Sequence, residues 1–126
     1  MSSNDIFIGI DPTAGKRPFS LAALDDDLRV VAVEETDAVG CLEFIGRWPD
    51  PVVAVDAPQS PNQGLMRKAE VRKRFGLPAR GKTFGDWKVC EYELRRRNLR
   101  LYATPSKAAK APAWMRAGFE LYRQLA

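Results

Sequence analysis

The chain has no histidine among its 126 residues. That absence removes Ser-His and Cys-His nucleophile pairs and His-ligated zinc, so acid–base or metal chemistry has to come from carboxylates, Lys, Tyr or Cys. Cysteine is scarce as well. Cys41 and Cys90 show no metal-ligand spacing, and a reducing compartment keeps such residues as thiols. No apolar run approaches the ~20 residues that span a bilayer. The opening Met1-Ser2-Ser3-Asn4-Asp5 lacks a basic region followed by an apolar one. Together these absences predict a cytoplasmic protein with no membrane partner. A phosphate loop is missing too: five residues separate Gly9 from Gly15 where the motif has four, and Arg17 stands where Ser or Thr should follow Lys16. Thr13 and Lys16 therefore read as parts of a surface turn.

What is present is an ordinary globular composition, 45% apolar and 29% charged, in a length that predicts one domain over residues 1–126. The net charge of +4 hides an asymmetry. Residues 1–61 carry eleven acids against four bases, and residues 62–110 carry fourteen bases against four acids. An acidic half joined to a basic half suggests a carboxylate site beside a surface for a polyanion, although basic helices also have plainly solvated faces.

Hydrophobic patterning predicts an α/β fold. Strands are expected over residues 5–11, 19–24, 28–33 and 52–55, the first three forming an antiparallel meander. A helix over 38–48 then crosses over, which implies that the fourth strand runs parallel to the first. The run Val52-Val53-Ala54-Val55 fits a strand buried on both faces. Beyond Pro58 a basic helix is expected over 65–75, and a second over 87–98 with Asp86 as its N-cap. A fifth strand over 99–103, a polar linker over 107–112 and a strongly amphipathic last helix from Trp114 follow. The apolar stripe of that helix suggests packing against a second copy of the chain.

Two strand-end aspartates carry the chemical signal. Ile10 runs into Asp11-Pro12 and Val55 into Asp56-Ala57-Pro58, both at the carboxyl edge of the sheet, where ligands of open α/β sheets bind. Taken singly, each aspartate is a turn cap before a proline. As neighbours about 5 Å apart, the two carboxylates repel by about 3 kcal/mol at an effective dielectric of 20. Sharing a proton or binding a hard cation such as Mg²⁺ or Mn²⁺ removes that repulsion. Glu91 is a candidate third group, because it interrupts the apolar stripe of Trp87, Cys90 and Leu94; an i,i+4 pair with Arg95 is the alternative. Glu43 reads as surface. Arg67, Lys68, Arg72, Lys73, Arg80, Lys82, Arg95 and Arg96 are the candidate phosphate contacts, beside Arg97 and Arg100. Phe84, Trp87 and Tyr92 lie close enough in sequence to stack on bases, or to form a core.

Four ordered stretches carry a resemblance: Ile8-Gly9-Ile10-Asp11-Pro12-Thr13, Val53-Ala54-Val55-Asp56-Ala57-Pro58, Cys90-Glu91-Tyr92-Glu93-Leu94-Arg95 and Trp114-Met115-Arg116-Ala117-Gly118-Phe119. Over nearly the whole chain they resemble the predicted RNase H-like nuclease family known as domain of unknown function 429. The resemblance implies an RNase H-like mixed sheet with flanking helices, strands 1–3 antiparallel and strands 1, 4 and 5 parallel. It also implies a site in which Asp11 and Asp56 hold divalent metal, and a functional position at Glu91. Members of that family continue into a further strand and helix bearing another acid. The chain stops at Ala126, so the resemblance implies a short member without that part. The expected function is metal-dependent phosphodiester hydrolysis, with a non-catalytic nucleic-acid-binding or assembly module of the same fold as the alternative.

Overall fold

Alternation of small apolar residues builds the first strand. In Phe7–Asp11 (β1), Ile8 and Ile10 are buried while Phe7, Gly9 and Asp11 point the other way and are exposed. The computed structural model describes residues 5–13 and 17–126, so the expected turn at Lys16 lies outside the described residues. Phe19–Leu24 (β2) pairs antiparallel with β1, setting Ala23 opposite Ile8 and Leu21 opposite Ile10. Val30–Thr36 (β3) pairs antiparallel with β2. Val52–Val55 (β4) pairs parallel with β1, with Val53 opposite Ile8 and Val55 opposite Ile10. The sheet order is β3-β2-β1-β4, the mixed α/β arrangement expected for the first four strands.

The third strand begins later than its β-propensity predicts. Leu28 adopts a left-handed φ of 61° in the preceding turn, where the Asp25 carboxylate accepts from the backbone N–H groups of Asp27 and Arg29 at 3.0 and 2.9 Å. Turn chemistry overrides the apolar side chain there. Ala38–Ile45 (α1) starts at Asp37, whose carboxylate accepts from Gly40 N at 2.8 Å. The chain after it closes tightly, with Phe44 and Trp48 in edge contact at 5.1 Å.

The described chain forms two compact units, Met1–Gln59 with Pro112–Ala126, and Ser60–Ala111. The first, the sheet unit, has its core on the even-numbered face of β1: Ile6, Ile8, Ile10, Leu21, Ala23, Cys41, Phe44 and Leu121. Leu121 comes from Ala113–Leu125 (α4), whose Met115 and Gly118 are also buried. A side chain at Gly118 would bring its Cβ within 2.4 Å of the Ala57 Cβ, so the helix approaches the chain beyond β4 closely only because that position is glycine. Of the apolar stripe on this helix, Met115, Gly118 and Leu121 are buried, while Trp114, Phe119, Tyr122 and Leu125 are half-buried. Among the described residues of this unit, none adds to the buried core from the other sheet face. Phe7, Val31, Val33 and Val52 are exposed on it, and Ala54 with them. The expectation of a strand buried on both faces is corrected accordingly: β4 is apolar on both sides, but α1 and α4 contribute buried residues to one face only.

The second, the basic unit, departs further from expectation. The helix predicted over 65–75 is split into a single 3-10 turn, Leu65–Arg67, and Ala69–Arg74 (α2), with Lys68 extended between them. The carbonyl of Met66 accepts from Arg72 Nη1 at 3.1 Å instead of continuing a helix. The following helix, Val89–Arg95 (α3), starts at Lys88 rather than Asp86. Asp86 is turned to an ion pair with Arg67 at 2.6 Å, and Glu91 accepts from Lys88 N at 2.9 Å. The expected fifth strand over 99–103 is absent, and the described residues of this unit contain no strand. Nearby, Thr104 N donates to Glu91 and Pro105 O accepts from Asn62 N at 3.0 Å, so side-chain and loop contacts replace a ladder. A single 3-10 turn, Ala108–Lys110, lies in the polar linker. No helix among the described residues is long and apolar enough to cross a membrane.

Candidate functional site

Parallel pairing places the two strand-end aspartates side by side. Val55 lies opposite Ile10, and Asp56 N donates to Ile10 O at 2.9 Å, extending the ladder by one step. Asp11 and Asp56 thus leave neighbouring strands at the same edge, about 4.8 Å apart in backbone. Both fall on the open face and line a shallow depression of about 570 Å³ with Gly9, Ser20, Ala54 and Val33. The prolines then turn the chain away. Thr13 N donates to Asp11 O at 3.0 Å, and the Thr13 hydroxyl lies within hydrogen-bond reach of the carbonyls of Arg17 and Pro18. Thr13 is tied to the backbone of Arg17 and Pro18 rather than held out to a ligand.

Both aspartates are exposed. No side-chain hydrogen bond or ion pair engages either carboxylate among the described residues. Two uncompensated carboxylates at one edge make an all-oxygen donor set, which suits a hard divalent cation keeping several of its waters. The residues present fit Mg²⁺ or Mn²⁺ in that respect. Three acids converge elsewhere, at Asp25, Asp26 and Asp27. That group is the β2–β3 turn, and Asp25 is already committed to backbone N–H groups.

Glu91 has a different task from the one its sequence position suggests. Its side chain is buried in the basic unit. One carboxylate accepts from Lys88 N, from Thr104 N at 3.1 and 3.2 Å, and from the Thr104 hydroxyl. It therefore caps α3 and fastens the segment around Thr104 to it; the alternative pairing with Arg95 does not form. Glu43 is exposed on α1, as read from the sequence. Thr104 and Lys88 escaped sequence reasoning because nothing local marks them as partners of Glu91.

The basic residues divide into three groups. Arg72, expected to face phosphate, is fully buried. Its guanidinium donates to Pro78 O at 2.6 Å, Met66 O at 3.1 Å, Thr83 O at 2.7 Å and the Thr83 hydroxyl at 3.1 Å. It organises the 76–85 loop from within. A Cβ at Gly81 would lie 2.5 Å from Arg72 Nη2, so that loop closes on the guanidinium with no room for a side chain. Arg67 pairs with Asp86. Arg96 pairs with Glu93 at 3.2 Å and lies over the Phe75 ring at 5.6 Å, and Arg97 shares the same carboxylate. Lys68, Lys73, Arg80, Lys82 and Arg95 are exposed and enter no ion pair among the described residues. Of the three rings expected near them, Tyr92 packs against Phe75 at 5.0 Å and Phe84 at 4.8 Å. Of the three, Tyr92 is buried, Phe84 touches it but stays exposed, and Trp87 is not in the cluster.

A depression of about 630 Å³ in the same unit is lined mainly by Pro61, Leu65, Phe75 and Val89, with Lys88 and Cys90 at its wall. The Lys88 ammonium already donates to Ser60 O. No protein-family model, no curated protein and no solved structure matches the chain.

Proposed function

We propose that the chain is a divalent-metal-dependent phosphodiester hydrolase of RNase H-like architecture, acting on nucleic acid in the cytoplasm. The observation that carries this reading is the pair of unengaged carboxylates, Asp11 and Asp56, at adjacent carboxyl ends of parallel strands. Mg²⁺ or Mn²⁺ held there supplies Lewis acidity toward a phosphoryl oxygen and lowers the pKa of bound water. Asp11 and Asp56 hold and orient that centre, and the open face beside them leaves room for a substrate backbone. Lys68, Lys73, Arg80, Lys82 and Arg95 supply positive charge for phosphates. Glu91 enters as a positioning residue for α3 rather than as a ligand, since its carboxylate is already saturated by Lys88 and Thr104. The saturated Glu91 is also what favours a second reading, a non-catalytic nucleic-acid-binding module of the same architecture.

Two measurements separate the readings. Calorimetric titration with Mn²⁺ is expected to show binding in the native chain and none in Asp11→Asn. Cleavage of labelled single-stranded and duplex oligonucleotides is expected to vanish in Asp56→Asn, with nucleic-acid binding retained. Cleavage that survives Asp56→Asn removes the assignment to this pair. Absence of metal binding at millimolar concentration moves the protein to the binding-module reading.

A further inference from the structure

Trp87, Arg95, Arg100, Leu101 and Tyr102 line one depression of about 540 Å³ in the basic unit. The chain reversal after α3 builds it. Leu99 N donates to Leu94 O at 3.2 Å and Asn98 N to Arg95 O at 2.9 Å, while Asn98 takes a left-handed φ of 63°. This Schellman-type ending, with asparagine at the left-handed position, turns residues 100–102 back beside the helix end. The turn brings a guanidinium and a ring from the returning segment to a guanidinium of the last helical turn and the indole that precedes the helix.

Three observations bear on what this depression can hold. Arg95 and Arg100 meet no acid among the described residues, whereas their neighbours Arg96 and Arg97 are both taken by Glu93. Tyr102 is 78% exposed, an unusual state for a large ring, while Trp87 is half-buried. The surrounding unit carries fourteen bases against four acids, so an anion is drawn to it. Two aromatic faces with two uncompensated guanidiniums match the chemistry of a base flanked by phosphates. Rings stack on a base of any identity, and Arg bonds phosphate oxygens as a planar fork. The base must be unpaired, because a duplex keeps its base faces inside the stack.

We propose that this depression holds an unpaired nucleotide of single-stranded nucleic acid, its base against Tyr102 and Trp87 and its neighbouring phosphates on Arg95 and Arg100. The site shares the nucleic-acid ligand with the proposed function but not the aspartate pair, and the test is run in EDTA so that the two stand or fall separately.

The probe is a fluorescein-labelled oligouridylate of about ten nucleotides, within the ordinary span of a single-strand site, compared with a duplex of the same length by fluorescence anisotropy. Tyr102→Ala is expected to weaken single-strand binding about ten-fold, and Tyr102→Phe to restore it to within about two-fold because the ring remains. Duplex binding is expected to stay unchanged in both. Arg95→Gln and Arg100→Gln should each lower the slope of log K against log salt by about 0.7. Native affinity in Tyr102→Ala overturns the proposal, as does equal loss of single-strand and duplex binding. Displacement of the oligomer by micromolar uridine monophosphate overturns it in favour of a free-nucleotide site. Failed cleavage with these binding results intact bears on Asp11 and Asp56 alone.

Discussion

The two units of this chain reach order by different physics. The sheet unit carries twelve acids against six bases, a net charge of −6. Its core is apolar: isoleucines of β1 meet Leu21, Phe44 and Leu121, and backbone groups are satisfied by a strand ladder. The basic unit carries fourteen bases against four acids, a net charge of +10. It has short helices and few buried apolar side chains, among them Met66 and Tyr92. Its fixed points are two buried charged groups, Arg72 and Glu91, each surrounded by backbone partners. Hydrophobic burial tolerates approximate geometry, because it scales with area. A buried guanidinium or carboxylate does not, because each unsatisfied partner costs its full desolvation. The basic unit therefore holds its loops in defined shapes at the expense of tolerance to change.

That contrast predicts where each unit breaks. Phe44→Ala, which empties a fully buried site, should cost about 3–5 kcal/mol in chemical denaturation and strip hydrogen-exchange protection from β1 and β2. Arg72→Met removes four hydrogen bonds made by a charged group, each worth about 1.5–3 kcal/mol and not additive. A loss of at least about 3 kcal/mol is expected, read as exposure of the 76–85 loop to protease while the β2 amides stay protected. If protection of β2 falls as far as that of the loop, the two units are not separable in stability and the contrast fails.

The smallest effect concerns the two thiols. Burial pushes the Cys41 thiol up to about 11 from 9.0, whereas Cys90 is exposed. The folded state therefore keeps the Cys41 proton when the unfolded chain has lost it. Its contribution is complete below pH 9.0 and is lost as pH rises toward 11, by at most about 1.4 kcal/mol per pH unit. Subtracting the pH–stability curve of Cys41→Ala from that of the native chain isolates this contribution. A flat difference across that window rejects it. Alkylation by iodoacetamide should meanwhile label Cys90 and spare Cys41 until the sheet unit opens.

Much of the sheet unit was legible in the linear order of residues. Ile6, Ile8 and Ile10 alternate with residues of the other face, Asp37 stands where a helix cap belongs, and a strand–helix–strand order implies the parallel pairing of β1 with β4. Those signals are local, with periods of two or four residues. What misled was also instructive. Leu28 and Val30 read as one strand until the Asp25 turn claimed Leu28. Val52 and Ala54 read as doubly buried, because composition records apolarity and not whether a neighbour arrives to cover it.

The basic unit was far less legible. Its lysines and arginines have one signature in sequence, yet Arg72 is buried structure, Arg96 and Arg97 are consumed by Glu93, and Arg95 and Arg100 enter no ion pair among the described residues. Glu91 looked like a free acid on an apolar stripe and proved to be the tie between α3 and Thr104, thirteen residues away.

By itself the sequence determined the mixed α/β class, the pairing of β1 with β2 and β4, and the adjacency of Asp11 and Asp56, because backbone ladders and hydrophobic alternation are short-range rules. Only the tertiary structure decided which sheet face stays open, which charges are spent internally, and that Trp87, Arg95, Arg100 and Tyr102 share one depression. Burial and charge pairing depend on which distant segments come together, and that choice has no local period to read.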